Sequence, residues 1–278
     1  MKRTAIAGVI AGAAVALAGF APAQASEAPA MLSVLHGVPD LTVDVYVNDD
    51  LTLDDFAPGD LAGPLELPAG TYSVAITASD AADASSPAIG PVDLALESGM
   101  NYTAVAHLTE AGEPTATLFT NDTAQTAAGE GRLTVRHVAA APAVDVLAGG
   151  TAVITNLANP DEAKLDLAAG TVSASVAAAG TTDPVLGPAD VEVAEGANTI
   201  VYAWGSLDDD NLALAIQTVT GMHSNPDGVP AGSAGLVATN APDAGAGVWL
   251  AAGATMLLGA AAVAAVLMRR SAAARQKE

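Results

Sequence analysis

The same blocks of sequence occur twice in this chain, about 100 residues apart. The matched blocks, in the first and second copy, are residues 32–36 and 133–137, 43–45 and 144–146, 65–71 and 165–171, and 87–101 and 184–198. A repeat of this length is one folding unit used twice. We therefore predict two related domains, at residues 26–122 and 131–220, joined by a linker at residues 123–130.

Both units have the residue pattern of short β-strands. Val43, Val45 and Val47 alternate with more polar residues, which places the valines on one face of a strand. Asn, Asp, Pro and Gly cluster between such runs, for example at residues 48–50 and 58–60, as turns require. Seven or eight short strands in about 90 residues are typical of a β-sandwich. The expected fold is all-β, with two tandem sandwiches of the Ig-like or transthyretin-like type.

The first 25 residues have the three parts of a secretory signal peptide. Lys2 and Arg3 precede an apolar stretch at residues 5–20, and small residues end the segment. That stretch is short for a membrane span, so we expect cleavage between Ala25 and Ser26 rather than a retained anchor.

The other end of the chain resembles a membrane anchor. Residues 245–268 are 24 consecutive uncharged residues, and as a helix they would rise about 36 Å. Arg269 and Arg270 follow, and basic residues beside a span stay in the cytoplasm. We predict a transmembrane helix at 245–268, a cytoplasmic tail at 269–278 and a flexible stalk at 221–244. Residues 236–240 keep only part of a cell-wall sorting pentapeptide, so processing to the cell wall stays an alternative.

Charge and composition narrow the class of partner. Residues 26–243 hold 30 acidic and three basic residues, a formal charge of −27. Such a field disfavours nucleic acid and anionic surfaces and favours cations or basic partners. Cysteine is absent, which excludes disulfides, thiol nucleophiles and thiolate metal sites. We expect no cofactor, and attachment to the membrane through the carboxy-terminal helix.

The repeated opening block resembles a family of exported bacterial proteins, domain of unknown function 4397. The residues that carry the resemblance are His36, Pro39, Asp40 and Asp44 in the first copy, and His137, Pro142 and Asp145 in the second. The resemblance implies a β-sandwich-like fold outside the cytoplasm and no known activity. The high alanine content and the anchor also resemble actinobacterial surface proteins.

His36 and His137 are the most conspicuous candidates for a site. Each is followed eight residues later by Asp44 or Asp145, and a His–Asp hydrogen bond would fix the register of the first strands. A metal site would need further ligands, of which Asp40 and Asp44 are the nearest. His107 aligns with Trp204, so neither residue belongs to a site that both copies share.

Two acidic runs could hold Ca²⁺ weakly, because this ion prefers several oxygen ligands on a turning loop. The candidate ligands are Asp49, Asp50 and Asp54 in the first copy, and Asp208, Asp209 and Asp210 in the second. Neither run has the spacing of an EF-hand, and their positions in the two copies differ. Acidic runs of this kind are also typical of solvent-exposed hairpin turns.

The sequence therefore predicts a non-enzymatic, membrane-anchored surface protein that serves as a structural or binding module for a surface or cell-wall ligand. One alternative is an exported carboxylate-based hydrolase or carbohydrate-active domain, since paired carboxylates can act on glycosides. The other is a Ca²⁺-dependent surface assembly protein.

Overall fold

The computed structural model describes residues 27–223, which form 16 β-strands. The first eight, here called lobe 1, are β1 (Ala30–His36), β2 (Val43–Val47), β3 (Asp50–Phe56), β4 (Leu61–Leu67), β5 (Gly70–Ala78), β6 (Ile89–Leu96), β7 (Asn101–Leu108) and β8 (Pro114–Thr120). The next eight, lobe 2, are β9 (Glu130–Ala140), β10 (Val144–Ala148), β11 (Thr151–Leu157), β12 (Glu162–Ala168), β13 (Gly170–Ala178), β14 (Pro184–Val193), β15 (Ala197–Ser206) and β16 (Ala213–Thr220).

Each lobe consists of two four-stranded sheets with the same strand order. The sheets that we call inner are β4-β1-β7-β8 and β12-β9-β15-β16, and the outer sheets are β3-β2-β5-β6 and β11-β10-β13-β14. Neighbouring strands are antiparallel except for β1 with β7 and β9 with β15, which are parallel. Every strand of lobe 1 therefore has a counterpart in lobe 2, eight strands further along the chain. The all-β prediction is confirmed.

The interior of each lobe is aliphatic. In lobe 2, one cluster joins Leu133 and Val201 of the inner sheet to Val146 and Val191 of the outer sheet. Val43 and Val45 are buried in lobe 1, but Asp44 and Tyr46 between them are buried too, so β2 is covered on both faces. Burial of the aliphatic side chains between two sheets is the main favourable contribution to folding, because there are no disulfides.

The same irregularity bends the outer sheet in both lobes. The pairing of β5 with β6 shifts between Val74 and Ile76, and that of β13 with β14 shifts between Ala174 and Val176. Gly90 and Gly187 lie opposite these shifts with φ values of 97° and 92°. A side chain on Gly90 would approach the carbonyl oxygen of Val74 to 2.6 Å, so glycine is required there.

The two inner sheets pack face to face, so the described part of the chain has four sheets in succession. Leu35, Val105 and Phe119 of lobe 1 form one buried cluster with Ile200 and Tyr202 of lobe 2. The equivalent strands β7 and β15 pack against each other at the centre of this contact. The lobes thus share a third core besides their own.

Within residues 27–223 there is no helix long and apolar enough to cross a membrane. The predicted signal peptide at 1–25 and the predicted anchor at 245–268 lie outside the described residues.

Candidate functional site

The two repeated histidines lie at the end of the first inner strand of each lobe, and both are about 1% exposed. His36 Nε2 lies 2.6 Å from the carbonyl oxygen of Leu41. His137 Nε2 lies 3.2 Å and 3.1 Å from the carbonyl oxygens of Ala141 and Pro142. A carbonyl only accepts, so each Nε2 carries the proton and donates it to the connection that leads to the outer sheet. Burial lowers the pKa of both rings, which favours this neutral form.

The repeated aspartates do not bond to these histidines, so the predicted His–Asp hydrogen bond is wrong. Asp44 Oδ1 accepts the backbone N–H of Asp55 at 3.0 Å. Asp145 accepts the N–H groups of Asn156 and Gly180, each at 2.8 Å. Asp55 and Asn156 have positive φ values of 52° and 56° at a bulge beside the first outer strand. Each aspartate therefore satisfies a backbone donor that the bulge removes from the ladder, and Asp145 also satisfies the N–H of Gly180 in the turn after β13.

The remaining residues of the family motif form the turn between the inner and outer sheets. Pro39 and Asp40 lie in this turn, and Asp40 has a positive φ of 59°. Asp40 Oδ2 is 3.4 Å from Asn211 Nδ2 of lobe 2. Pro142, at the corresponding connection of lobe 2, provides a carbonyl acceptor for His137. The motif thus acts through the backbone, and it brings no set of catalytic side chains together.

The acidic runs lie at separate turns. Asp49 is in the tight turn between β2 and β3, next to Asn48, whose Oδ1 accepts the N–H of Ser73 at 3.0 Å. Asp50 and Asp54 lie on β3, whereas Asp208, Asp209 and Asp210 form the turn after β15.

Within the described residues, one group of three carboxylates has oxygen atoms within 4.8 Å of one another, and it consists of Asp44, Asp54 and Asp55. The acidic run that includes Asp54 was a predicted Ca²⁺ candidate, and Asp44 was a predicted candidate for a metal site with His36. Asp44 is already engaged by the N–H of Asp55. The equivalent bulge of lobe 2 has Thr155 and Asn156 in place of the two exposed acids, so the group is not repeated.

The contact between the lobes is the most unusual polar site in the structure. The registers of the inner sheets make Leu35, Val105 and Phe119 of lobe 1 equivalent to three polar residues of lobe 2. Those polar residues are Arg136, Tyr202 and Gln217. All six are buried, so at these three positions lobe 1 contributes apolar residues to the contact and lobe 2 contributes polar ones.

The polar face of lobe 2 is a connected hydrogen-bond network. Arg136 donates through Nε to Glu162 and through Nη1 to the hydroxyl of Tyr202, both at 2.8 Å. The Tyr202 hydroxyl donates to Gln217 Oε1 at 2.6 Å, and burial raises its pKa. Thr103 of lobe 1 donates to the same oxygen at 2.9 Å. The network therefore continues across the contact and satisfies groups that would otherwise be costly to bury.

Phe119 completes the surroundings of the buried guanidinium. Its ring centroid is 4.3 Å from Arg136 Cζ, and Arg136 Nη2 has no hydrogen-bond partner among the described residues. An aromatic face attracts a desolvated cation, so the ring stabilises the charge where a hydrogen bond is missing.

The three basic residues of the acidic region all lie in this part of lobe 2. Arg132 pairs with Asp122, at 2.7 Å, and with Asp166, at 2.8 Å. The hydrogen bond from Arg132 holds the pKa of Asp166 below its usual range. Lys164 lies 2.9 Å from Glu162. Because Asp122 follows the last strand of lobe 1, these pairs also tie the connection between the lobes to the inner sheet of lobe 2.

His107 and Trp204 occupy equivalent positions, as the sequence alignment predicted, and both lie at this contact. Each follows the alanine that pairs with the repeated histidine, Ala106 or Ala203. The side chain of Trp204 lies against Gly37 and Gly59 of lobe 1, where an added Cβ atom would come within 3.2 Å of Trp204 Cβ and within 3.0 Å of the indole, respectively. His107 bonds instead to Leu108 O and Thr117 Oγ1, at 2.9 Å and 2.8 Å.

The inter-lobe contact was not predicted from the sequence. One available signal was the replacement of Leu35 by Arg136 within an otherwise apolar strand. Another was the position of Arg132, Arg136 and Lys164. These are the basic residues between the two ends of the sequence, and all three lie in the second copy.

Part of the chain matches a known protein family. Residues 30–147 match the model of the family described as domain of unknown function DUF4397. The segment contains all of lobe 1 together with β9 and nearly all of β10. No curated protein matches the chain.

Proposed function

Over residues 30–147 this chain is a member of the DUF4397 family, and we propose that it is a non-enzymatic, membrane-anchored surface protein. In this proposal, the two lobes form a single binding or spacing module outside the cell. The observation that carries it is the buried contact between the inner sheets, which makes the lobes one unit instead of two independently tethered domains.

The use of the repeated motif supports a role without catalysis. His36 and His137 donate to backbone carbonyls, and Asp44 and Asp145 accept backbone N–H groups. A catalytic histidine or carboxylate has to reach a substrate, whereas these four side chains are at most 5% exposed. The motif that defines the resemblance is therefore explained by the fold alone.

The proposed orientation in the membrane rests on the predicted signal peptide and the predicted carboxy-terminal anchor. Removal of residues 1–25 would leave a mature chain beginning at Ser26, and the apolar segment 245–268 would hold it in the membrane. The basic residues after position 268 would keep the tail in the cytoplasm. The stalk at 221–244 would then separate the lobes from the membrane surface.

The absence of native cysteine allows a direct test of this topology. Ser86→Cys places a thiol at an exposed position of lobe 1, and Ser271→Cys places one in the predicted tail. Intact cells that express either variant are treated with a membrane-impermeant maleimide. We expect Ser86→Cys to react on intact cells and Ser271→Cys to react only after permeabilisation.

The wild-type chain, which has no thiol, is the control for background labelling. Labelling of Ser271→Cys but not of Ser86→Cys on intact cells would reverse the proposed orientation. Labelling of neither variant before permeabilisation would place the protein inside the cell. The mass of the mature chain separately reports cleavage between Ala25 and Ser26.

A further inference from the structure

Lobe 1 contains a cavity of about 250 Å³ between its two sheets. Aliphatic side chains from both sheets line most of it, including Leu32 and Val34 from the inner sheet and Val45, Val74 and Leu94 from the outer sheet. A cavity of about 150 Å³ with such a lining stays dry and takes up benzene, so a dry, apolar space of this size accepts an apolar guest.

Lobe 2 has the same sheets but much less such space, in two apolar cavities of about 50 Å³ and 20 Å³. The corresponding cavity, which is lined by Leu133, Val146 and Val201 among others, measures about 20 Å³. Two substitutions between the copies place larger side chains in this space in lobe 2, although Val47 and Val74 of lobe 1 are replaced there by the smaller Ala148 and Ala174. The strand registers make Ala104 equivalent to Val201 and Ala116 equivalent to Leu214. The larger side chains of lobe 2 occupy the space that the alanines of lobe 1 leave open.

The packing of the two interiors agrees with this difference. The core of lobe 2 is one continuous apolar cluster that reaches both sheets. The core of lobe 1 is divided into two clusters, one around Val43 and Ile76 and the other around Leu32 and Leu94. Natural interiors are close-packed and a cavity lowers stability, so an unfilled interior in only one of two copies calls for an occupant.

The cavity has a polar end at one edge of the sandwich. Asn48, Asp50 and Thr52, which lie at the start of the edge strand β3, line it there and are exposed to solvent. Leu65 and Leu67 of β4, the edge strand of the inner sheet, line the same cavity. On the opposite side, β6 and β8 are in contact. A ligand would therefore enter between β3 and β4.

We propose that lobe 1 binds an aliphatic molecule of about ten carbon atoms whose polar end is a hydrogen-bond donor. The hydrocarbon chain lies between the sheets, and a hydroxyl or amine group at the mouth donates to Asp50. A fatty carboxylate is excluded because it would face the Asp50 carboxylate in a region that already carries a formal charge of −27. This inference does not depend on membrane anchoring, so either proposal can fail without the other.

The test measures binding of 1-decanol to the full chain, held in amphipol so that no free detergent competes for the cavity. Thermal unfolding is followed by circular dichroism as decanol is added. We expect a saturable rise in Tm of about 5 °C when the decanol concentration is about 100 times Kd. In Ala104→Val/Ala116→Leu, which copies the interior of lobe 2, the rise should disappear. Leu118→Ile, a change to the lobe 2 residue outside the cavity lining, is the matched control and should keep it.

A reciprocal variant keeps the test decisive if the filled variant does not fold. Val201→Ala/Leu214→Ala opens the interior of lobe 2, and equilibrium binding should then show two decanol molecules per chain in place of one. An equal rise in Tm in the filled variant, or an unchanged stoichiometry in the opened one, would overturn the site.

The polar end is tested separately with decylamine and decanoate. We expect decanoate to bind at least about tenfold more weakly than decylamine, and Asp50→Asn to reduce this difference, because one charge at the mouth is removed. Equal binding of the two ligands to the wild-type chain would overturn the assignment of the donor end.

Discussion

Arg136 Cζ lies 4.3 Å from the centroid of the Phe119 ring, so a buried cation of lobe 2 is covered by an aromatic side chain of lobe 1. This pair joins the two lobes at the point where Arg136 lacks one hydrogen bond. The stability of each lobe is therefore coupled to the presence of the other.

A double-mutant cycle measures this coupling. Phe119→Leu keeps an apolar side chain but removes the ring, and Arg136→Met keeps much of the stem but removes the charge. We expect a coupling free energy of about 1–2 kcal/mol, as for a desolvated cation over an aromatic ring. Chemical denaturation of the single and double variants gives this value. Effects that add within about 0.5 kcal/mol would contradict the interaction.

The two repeated aspartates should differ in importance. Asp145 accepts two backbone N–H groups and Asp44 accepts one. We expect Asp145→Ala to cost about 2–3 kcal/mol and Asp44→Ala about 1–2 kcal/mol, because each leaves buried donors without acceptors. Denaturant titration measures both. Asp93→Ala, on an exposed position of β6, is the control and should change the unfolding free energy by less than about 0.5 kcal/mol. A larger loss for Asp44 than for Asp145 would contradict the stated roles.

Substitution of a glycine at a β-bulge should destabilise the protein more than substitution of a glycine in an ordinary turn. Gly90→Ala should destabilise the protein by more than about 2 kcal/mol, because it combines a positive φ with a Cβ atom 2.6 Å from a carbonyl oxygen. Gly112 has a similar φ of 83° but open space around its Cβ direction, so Gly112→Ala should cost only about 1 kcal/mol. Thermal unfolding compares the two. Equal losses would show that the contact with Val74 is unimportant.

Stability should fall when the pH drops below about 6.5, because His36, His107 and His137 are buried. Burial lowers the pKa of each ring in the folded state, while Asp60, Asp161 and Glu110 oppose this effect only in part for His36 and His137. The unfolded chain then binds more protons than the folded one between the folded pKa and the ordinary value of 6.5. The stability that the three neutral histidines contribute is fully present above pH 6.5, and it is lost as the pH falls through the pKa values of the folded state.

Denaturation between pH 7.5 and pH 5 measures this dependence, with a slope of at most about 1.4 kcal/mol per pH unit for each histidine. His107→Gln should reduce the slope. An unaltered slope in His107→Gln would contradict the role of this ring.

Much of the fold could be predicted from local patterns. The alternation of valines around Asp44 and the turn residues at 48–50 were enough to indicate strands and a hairpin. The pairing of β1 with β7 could not be predicted, because it joins residues about 70 positions apart. The partners of the histidines were missed for a related reason: β1 and β2 belong to different sheets, so His36 is not opposite Asp44.

The candidate sites lie at positions where the two copies differ in sequence, more than at positions where they agree. Arg136 of lobe 2 replaces Leu35 of lobe 1, and this difference lies at the inter-lobe network. Val201 of lobe 2 replaces Ala104 of lobe 1, and this difference lies at the cavity of lobe 1. Such differences acquire meaning only when the register shows which way each residue faces. An alignment that seeks shared residues passes over them.

The chemical inequality of the two inner faces also limits self-association. A two-fold dimer requires an identical, self-complementary patch on both subunits. Two copies of lobe 2 joined in this way would oppose one guanidinium to another, and two copies of lobe 1 would lose the hydrogen bond from Thr103 to Gln217. Duplication followed by divergence has therefore produced halves that fit each other within one polypeptide and not themselves.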